Sequence, residues 1–289
     1  MTNIITKEAY KGKVVIDFYP DSHQYKLVKL DGKELPKKVN VPSVTAHTGL
    51  VDKSRPLMGW AVKEYTKKME ELVKQDGKYT GKDVLDLLPV AQNAYQETKQ
   101  KAADVGTYVH EFCEEYSIIL DPNAAYQNVM KRLGVPMLEL KTKIDSAVKG
   151  VVDWIKKEKI EILSAEEMIY SKKHNYVGLF DAICKYKKGK YLLDWKTSNG
   201  IYDEYYLQTS AYLKAYEEEC PKDKLDGAII VAIAKEDKEE KGIKAGDIIV
   251  EVRSRGDLLK DFMAFKGLLP VKKRLAELQK EYYQKKNNK

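Results

Sequence analysis

The sequence predicts an α/β protein with a helical N-terminal half and an α/β C-terminal half, on three observations. Apolar residues recur at helical spacing across residues 41–159. From residue 160 the period shortens to two, and three strands follow, the last two joined by a tight Lys188-Gly189 turn. No internal repeat or low-complexity linker divides the chain. Residues 1–289 are therefore read as one domain: a β-hairpin element over 1–40, a helical region over 41–159 and an α/β core over 160–289.

In chain order, Val14, Ile16 and Phe18 alternate up to a turn at Pro20-Asp21-Ser22, and Tyr25, Leu27 and Leu30 continue to a second turn at Asp31-Gly32. Pro42-Ser43-Val44-Thr45 has the form of a helix start. Trp60, Ala61, Tyr65 and Met69 carry helical spacing through Leu72, and Asp76-Gly77-Lys78 is the expected stop. A short helix over 82–88 should end before Pro89, because a proline inside a helix lacks its N–H and crowds the preceding turn. A long helix over 90–120 is expected to break at Asp121-Pro122. Another over 136–159 puts Leu140, Ile144, Ala147, Val151, Trp154 and Ile155 on its apolar side.

The second half reads as an antiparallel meander of strands over 162–171, 178–186 and 191–196. A helix over 203–220, an apolar strand over 228–234, a polar excursion over 235–246, a strand over 248–253 and a terminal helix over 257–283 follow. The basic tail 284–289 is expected to fray.

Composition excludes several classes. With 289 residues and 43% hydrophobic content the chain can fill a core. No run approaches the roughly 18 apolar residues that span a bilayer, and the first seven residues are too short for a signal segment, so a cytoplasmic protein without a membrane partner is expected. Cys113, Cys184 and Cys220 have no paired spacing, which points to reduced, buried thiols rather than disulfides or an iron–sulfur site. The formal charge of +7 is compatible with a nucleic-acid partner. Twenty tyrosines against five phenylalanines suit either a wet, anionic ligand surface or half-buried packing.

The chemistry concentrates at Leu192-Leu193-Asp194-Trp195-Lys196-Thr197-Ser198, where alternation sends Asp194 and Lys196 to one face and Leu193 and Trp195 to the other. A carboxylate and an ammonium at the end of an apolar strand cost desolvation, which is tolerated best where they bind something. Asp181 lies alone among apolar residues of the preceding strand. Glu166 and Glu167 on the strand before that must face opposite ways, so at most one can join Asp194. His110 stands one turn after Gly106 on the long helix, and that glycine permits close approach of another backbone. Adjacent strands are about 4.8 Å apart, so inward carboxylates can share a divalent cation. Oxygen ligands with one imidazole favour Mg²⁺ or Mn²⁺ over zinc. Such a cation can acidify a bound water and polarise a phosphoryl oxygen, while Lys196 offsets charge on the phosphate. Gln208 and Tyr212, a turn apart, face the sheet or the mouth of that site. Upstream, Lys53, Arg55, Lys63, Lys67, Lys68, Lys99 and Lys101 interleave with Trp60, Tyr65 and Tyr95, a mixture suited to phosphate contacts and base stacking.

Together, Gly106-x-x-x-His110, a strand glutamate, Gly178-x-x-Asp181, Asp194-Trp195-Lys196 and Gln208-x-x-x-Tyr212 resemble the PD-(D/E)XK nuclease superfamily in its RecB-like exonuclease branch, over residues 106–212. The resemblance implies a restriction-endonuclease-like core, a central mixed sheet flanked by helices. It implies a Mg²⁺- or Mn²⁺-dependent deoxyribonuclease with Asp181 and Asp194 as metal ligands, His110 as a further ligand and Lys196 as the catalytic lysine. The family's glutamate is best matched by Glu166, with Glu167 the alternative. Gln208, Tyr212 and Thr197 would order the site or touch DNA. Residues 52–120, through Trp60 and Lys63, would handle a single strand. The implied function is an exonuclease acting on single-stranded DNA or DNA ends in recombination or repair, of a kind that phages carry. The alternatives are a structure-selective endonuclease and a non-catalytic DNA-binding protein of the same fold. No cysteine quartet and no helicase-type phosphate loop occur, so no iron–sulfur cluster is expected and unwinding would need a helicase or recombination partner.

Overall fold

The computed structural model describes residues 4–74, 77–239 and 242–287, with all side chains there except those of Arg55 and Pro56. The chain opens with four antiparallel strands in sequential order, β1 (Ile5–Ala9), β2 (Val14–Tyr19), β3 (Gln24–Leu30) and β4 (Lys33–Val41). The expected hairpin is the middle of this sheet, with Ile16, Phe18, Tyr25 and Leu27 buried. Asp31 and Gly32 both take positive φ, as a two-residue hairpin turn requires. The outer strands leave no alternation to read, because β1 buries only Ala9 and β4 only Val41.

The single helix expected from Pro42 to Leu72 is two. Ser43 Oγ accepts the Ala46 N–H and starts α1 (Val44–Thr48). Asp52 then accepts the Ser54 N–H at 2.8 Å and begins α2 (Ser54–Leu72). That helix stops before the expected Asp76-Gly77-Lys78, of which Asp76 lies outside the described residues. Pro89 does not divide the next segment: α3 (Gly81–Ile119) starts from a Thr80/Asp83 capping box and runs through it. The proline deprives the Leu85 carbonyl of one bond, and Leu85 is exposed, so solvent can satisfy it. Asp121-Pro122, expected as a break, also starts a helix, α4 (Pro122–Leu133). Asp121 Oδ1 accepts the Asn123 and Ala124 N–H groups, and proline occupies the first turn, where no N–H is needed. α5 (Leu138–Glu158) follows.

The second half is β5 (Glu161–Ser171), β6 (Tyr176–Tyr186), β7 (Gly189–Lys196), α6 (Asp203–Glu219), β8 (Gly227–Ile233), β9 (Ile248–Ser254) and α7 (Arg255–Asn287). The tail is helical to Asn287, and Asn288 and Lys289 lie outside the described residues. The five strands form one sheet in sequential order, antiparallel except for β7 beside β8, where α6 carries the crossover. The α/β class, the mixed sheet and helices on both faces agree with the expectation from sequence.

Each face has its own core. Leu193, Trp195, Ile229 and Val231 pack with α3, α4 and α5, and Trp195 meets Trp154 edge-on at 5.8 Å. Phe180, Ile183 and Leu192 pack with α1, α6 and α7. The N-terminal sheet rests on Met168, Tyr170 and Val177 through a third core. Cys113 and Cys184 are buried and Cys220 is half-buried, all as free thiols. No described helix is long and apolar enough to cross a membrane.

Gly178 shows how tightly α6 sits on the sheet, since a Cβ there would stand 2.4 Å from Tyr212 Cε1 and 3.2 Å from Val44 Cγ2. Gly178→Ala should therefore destabilise the protein by about 1–3 kcal/mol, the usual cost of overpacking. A melting temperature equal to that of the wild type would show that Tyr212 is not pressed against β6.

Candidate active site

The site forms where the sheet opens. The β6–β7 ladder ends at Ala182↔Leu193, while β7 stays paired with β8 as far as Lys196↔Ala232. The Trp195 N–H beyond that end donates to Asp181 Oδ2 at 2.6 Å, so a side chain replaces the missing rung. Asp194 is only 1% exposed. Lys196 Nζ stands 2.6 Å from Asp194 Oδ2, an ion pair angled away from a hydrogen bond, which leaves that oxygen without a hydrogen-bond donor among the described residues. Lys196 Nζ also lies 5.3 Å from the centre of the Tyr205 ring.

On the other side of Asp181, the register from Ala165↔Ala182 to Glu167↔Phe180 sets Glu166 opposite it. Glu166 has φ of 49°, a left-handed conformation that side chains rarely adopt inside a strand. Its carboxyl group feels Glu114, Asp181 and Glu111, whereas Glu167 acts on Tyr216, Glu219 and Cys220. Of the two glutamates, Glu166 is the one beside Asp181.

α3 delivers the imidazole. Gly106 lets it approach the end of β7, where a Cβ would stand 3.0 Å from Thr197 Oγ1; the close neighbour is a side chain rather than the backbone expected. One turn on, His110 Nδ1 lies 2.7 Å from Glu114 Oε1 and Nε2 lies 3.7 Å from Asp181 Oδ1. His110, Glu114 and Asp181 each offer a ligand atom within 4.8 Å of the others. The 3.7 Å gap leaves room for a cation, whose bonds would be about 2.1 Å long. Glu114 escaped the sequence reading, although its place four residues after His110 on one helix was a usable signal.

The electrostatics are those of crowded carboxylates. Burial and the charge of Asp194 push Asp181 up to about 6, against the pull of His110, Lys196 and the Trp195 N–H. Burial and Glu114 push Glu166 up to about 7. Burial works to lower His110, but the contact with Glu114 and the charge of Asp181 outweigh it and raise the imidazole to about 9. For Lys196 burial is likewise outweighed by Asp194 and Asp181, so the ammonium is held. Crowded carboxyls that resist ionisation fit a divalent cation, which would relieve their repulsion.

Gln208 Nε2 donates to the Tyr212 hydroxyl at 2.7 Å, and both are buried. With Asp181, Asp194 and Lys196 they line a cavity of about 200 Å³, closed on its far side by His23, Tyr25, Ser43 and Thr45. His110 also borders a second cavity of about 390 Å³, with Gly106, Thr107, Glu111, Thr197 and Lys235. The structure does not bring Trp60 or Lys63 to either cavity. Trp60 packs between α2 and α3, donating to Glu64 Oε1 at 3.0 Å and meeting Tyr95 edge-on at 5.0 Å, while Lys63 is on the exposed side of α2.

No protein-family model matches the chain. No curated protein matches it. Among solved structures, a putative exonuclease from Eubacterium rectale aligns with a TM-score of 0.40 and 10% identity, over 60% of this chain and 66% of that one, just under two thirds of its length. An alkaline exonuclease from Laribacter hongkongensis aligns with a TM-score of 0.34 and 12% identity, over 61% of this chain and 92% of that one. Such likeness is partial, and the reading of the site rests on its own geometry.

The raised carboxyls have a measurable consequence. Native Asp181 titrates near 6, against about 3.9 for an unfolded aspartate, so without a cation its ionisation costs stability as pH rises between those values. Asp181→Asn removes that cost and keeps an oxygen for the Trp195 N–H. Without divalent ions, its melting temperature relative to wild type should rise by a few degrees between about pH 4 and pH 7. Mn²⁺ should then stabilise the wild type more than the variant. A difference flat in pH would mean that Asp181 carries no such strain.

Proposed function

We propose that the chain is a metal-dependent deoxyribonuclease of the PD-(D/E)XK type, acting on DNA ends with a preference for single strands, in recombination or repair. The observation that carries this reading is the convergence of Asp181, Asp194 and Lys196 at the opened end of the sheet, with His110 and Glu114 brought to them by α3. Asp181, Asp194 and His110, with Glu114 beside them, would hold Mg²⁺ or Mn²⁺, the ions that an oxygen-rich set with one imidazole favours. When bound, the cation would polarise the phosphoryl group and acidify water.

The chain's own residues do the rest. Lys196, a compact charge fixed by Asp194, orients the attacking water and offsets charge on the phosphate. Glu166, beside Asp181, is placed to accept a proton. Gln208 and Tyr212 hold each other and present amide and phenol to the cavity wall. The basic surface of α2 and α3, including Lys63, would guide the strand, and Thr197 would touch it at the end of β7.

Linear DNA should disappear in the presence of Mg²⁺ or Mn²⁺ and persist in EDTA, with closed circles spared. Lys196→Ala should lower the rate by about 10²–10³, the usual effect of losing a preorganised charge-stabilising group. Nicking of circles would make the protein an endonuclease. No cleavage of any DNA by folded, metal-supplied protein would leave a binding protein that keeps the fold. Alanine at Lys63 should weaken single-strand binding several-fold in a fluorescence titration; unchanged binding would take α2 out of the strand path.

A further inference from the structure

Lys235 lies two residues beyond the apolar end of β8 and has been given no role so far. Its backbone N–H donates to Asn199 Oδ1 at 2.9 Å, and Asn199 Nδ2 donates to Glu236 Oε1 at 3.2 Å. One asparagine thus ties the segment after β7 to the segment after β8. This sets the Lys235 stem against α3, where a Cβ on Gly106 would stand 3.8 Å from Lys235 Cδ and 3.0 Å from Thr197 Oγ1. Both side chains line the larger cavity, next to His110.

Among the described residues the Lys235 ammonium makes no ion pair or hydrogen bond, and the Thr197 hydroxyl makes no hydrogen bond. The acids that border its cavities are engaged elsewhere: Glu236 with Lys238 at 2.6 Å, Glu111 with Arg132 at 2.6 Å, Glu139 with Lys101 at 3.1 Å, Glu64 with Trp60 and Thr98, and Asp237 with the Ala245 N–H. Burial pulls the Lys235 ammonium below its ordinary value, and the charge of Glu236 opposes it. A half-buried cation and a hydroxyl that border one cavity, with no acceptor among the described residues, are completed by an external anion. The pair adjoins the reacting cluster through His110, which borders both cavities.

We infer that Lys235 and Thr197 form a subsite for a phosphate group of the nucleic-acid strand, adjacent to the phosphate being cleaved and positioned by Asn199. The inference rests on the nuclease reading for the identity of the strand. The phosphate is either an internal phosphodiester or a terminal monoester, and both present the same oxygen acceptors.

The test is fluorescence anisotropy of a labelled single-stranded oligonucleotide with Ca²⁺ in place of Mg²⁺, over about 50–200 mM NaCl, using wild type, Lys235→Gln and Lys235→Arg of verified melting temperature. Loss of one phosphate contact should flatten the plot of log Kd against log salt by about 0.7 for a single strand. Lys235→Gln should show this together with several-fold weaker binding, and Lys235→Arg should retain wild-type behaviour. Equal loss on 5′-phosphate, 3′-phosphate and hydroxyl-ended strands assigns the subsite to an internal phosphodiester; loss confined to one phosphorylated end assigns it to that terminus. An unchanged slope and Kd in folded Lys235→Gln overturns the subsite, even if the wild type cleaves DNA. Wild type that binds through Lys235 but never cleaves with Mg²⁺ or Mn²⁺ overturns the nuclease reading and leaves the subsite standing. Wild type that binds no DNA overturns both.

Discussion

One hydrogen bond, from the Trp195 N–H to Asp181 Oδ2, ties Asp181 to the stretch that carries Asp194 and Lys196. An antiparallel ladder that simply continued past Ala182↔Leu193 would satisfy that N–H with a β6 carbonyl and leave no opening. An aspartate side chain in its place lets β6 diverge while β7 stays locked to β8 through Lys196. Asp181 is thereby held at the gap between the two strands, within reach of α3. The same backbone segment turns the Trp195 ring into the opposite core, against Trp154. Polar attachment on one side and aromatic packing on the other keep the Asp194-Trp195-Lys196 stretch from shifting register.

The consequence is an electrostatic load that the fold carries rather than relieves. Asp181 and Glu166 are pushed up by burial and by their carboxylate neighbours, and Asp194 is almost fully enclosed with Lys196 as its counter-charge. Glu166 adds a left-handed backbone conformation in the middle of a strand. Such features cluster where a protein accepts local instability in exchange for a prearranged site. The imidazole offsets part of the load, but a group raised to about 9 by its acidic neighbours does so by remaining charged, which marks this as a basin of negative potential. A basin of that sign is what a cation needs and what a phosphate chain needs shielded.

Most of this arrangement was legible in the sequence wherever one rule governed a stretch. Strands β5 to β9 follow alternation or unbroken apolarity, and Asp194 and Lys196 share a face because the period of a strand is two. The reading failed where two rules competed. Proline marks a stop in one context and the first turn of a helix in another, and at Pro122 the capping carboxylate of Asp121 decided for the start. At Pro89 one lost bond in a solvent-facing stretch was too small a penalty to end a helix begun from a capping box. β1 and β4 were invisible because exposed edge strands have no buried face to imprint a pattern. Glu114 was passed over because a single helical carboxylate acquires meaning only from what α3 is packed against. Trp60 was assigned to strand handling from its company of lysines, yet its ring and indole N–H are engaged by Tyr95 and Glu64.

The walls of the site also limit which part of the chain can be credited with its chemistry. Residues 160–289 supply Asp181, Asp194, Lys196 and Glu166, but the imidazole and Glu114 come from α3. The far wall comes from His23 and Tyr25 of the N-terminal sheet and from Ser43 and Thr45 at the start of α1. That wall is anchored close to the reacting groups: the Val177 N–H donates to the Pro42 carbonyl at 3.2 Å, Ser43 bridges Val177, and Val177 stands four residues before Asp181 on the same strand. The small sheet is therefore positioned by β6 itself and not by a linker. A movement of β6 that changed the place of Asp181 would carry the wall with it, so the width of the cavity and the spacing of its carboxylates are set together.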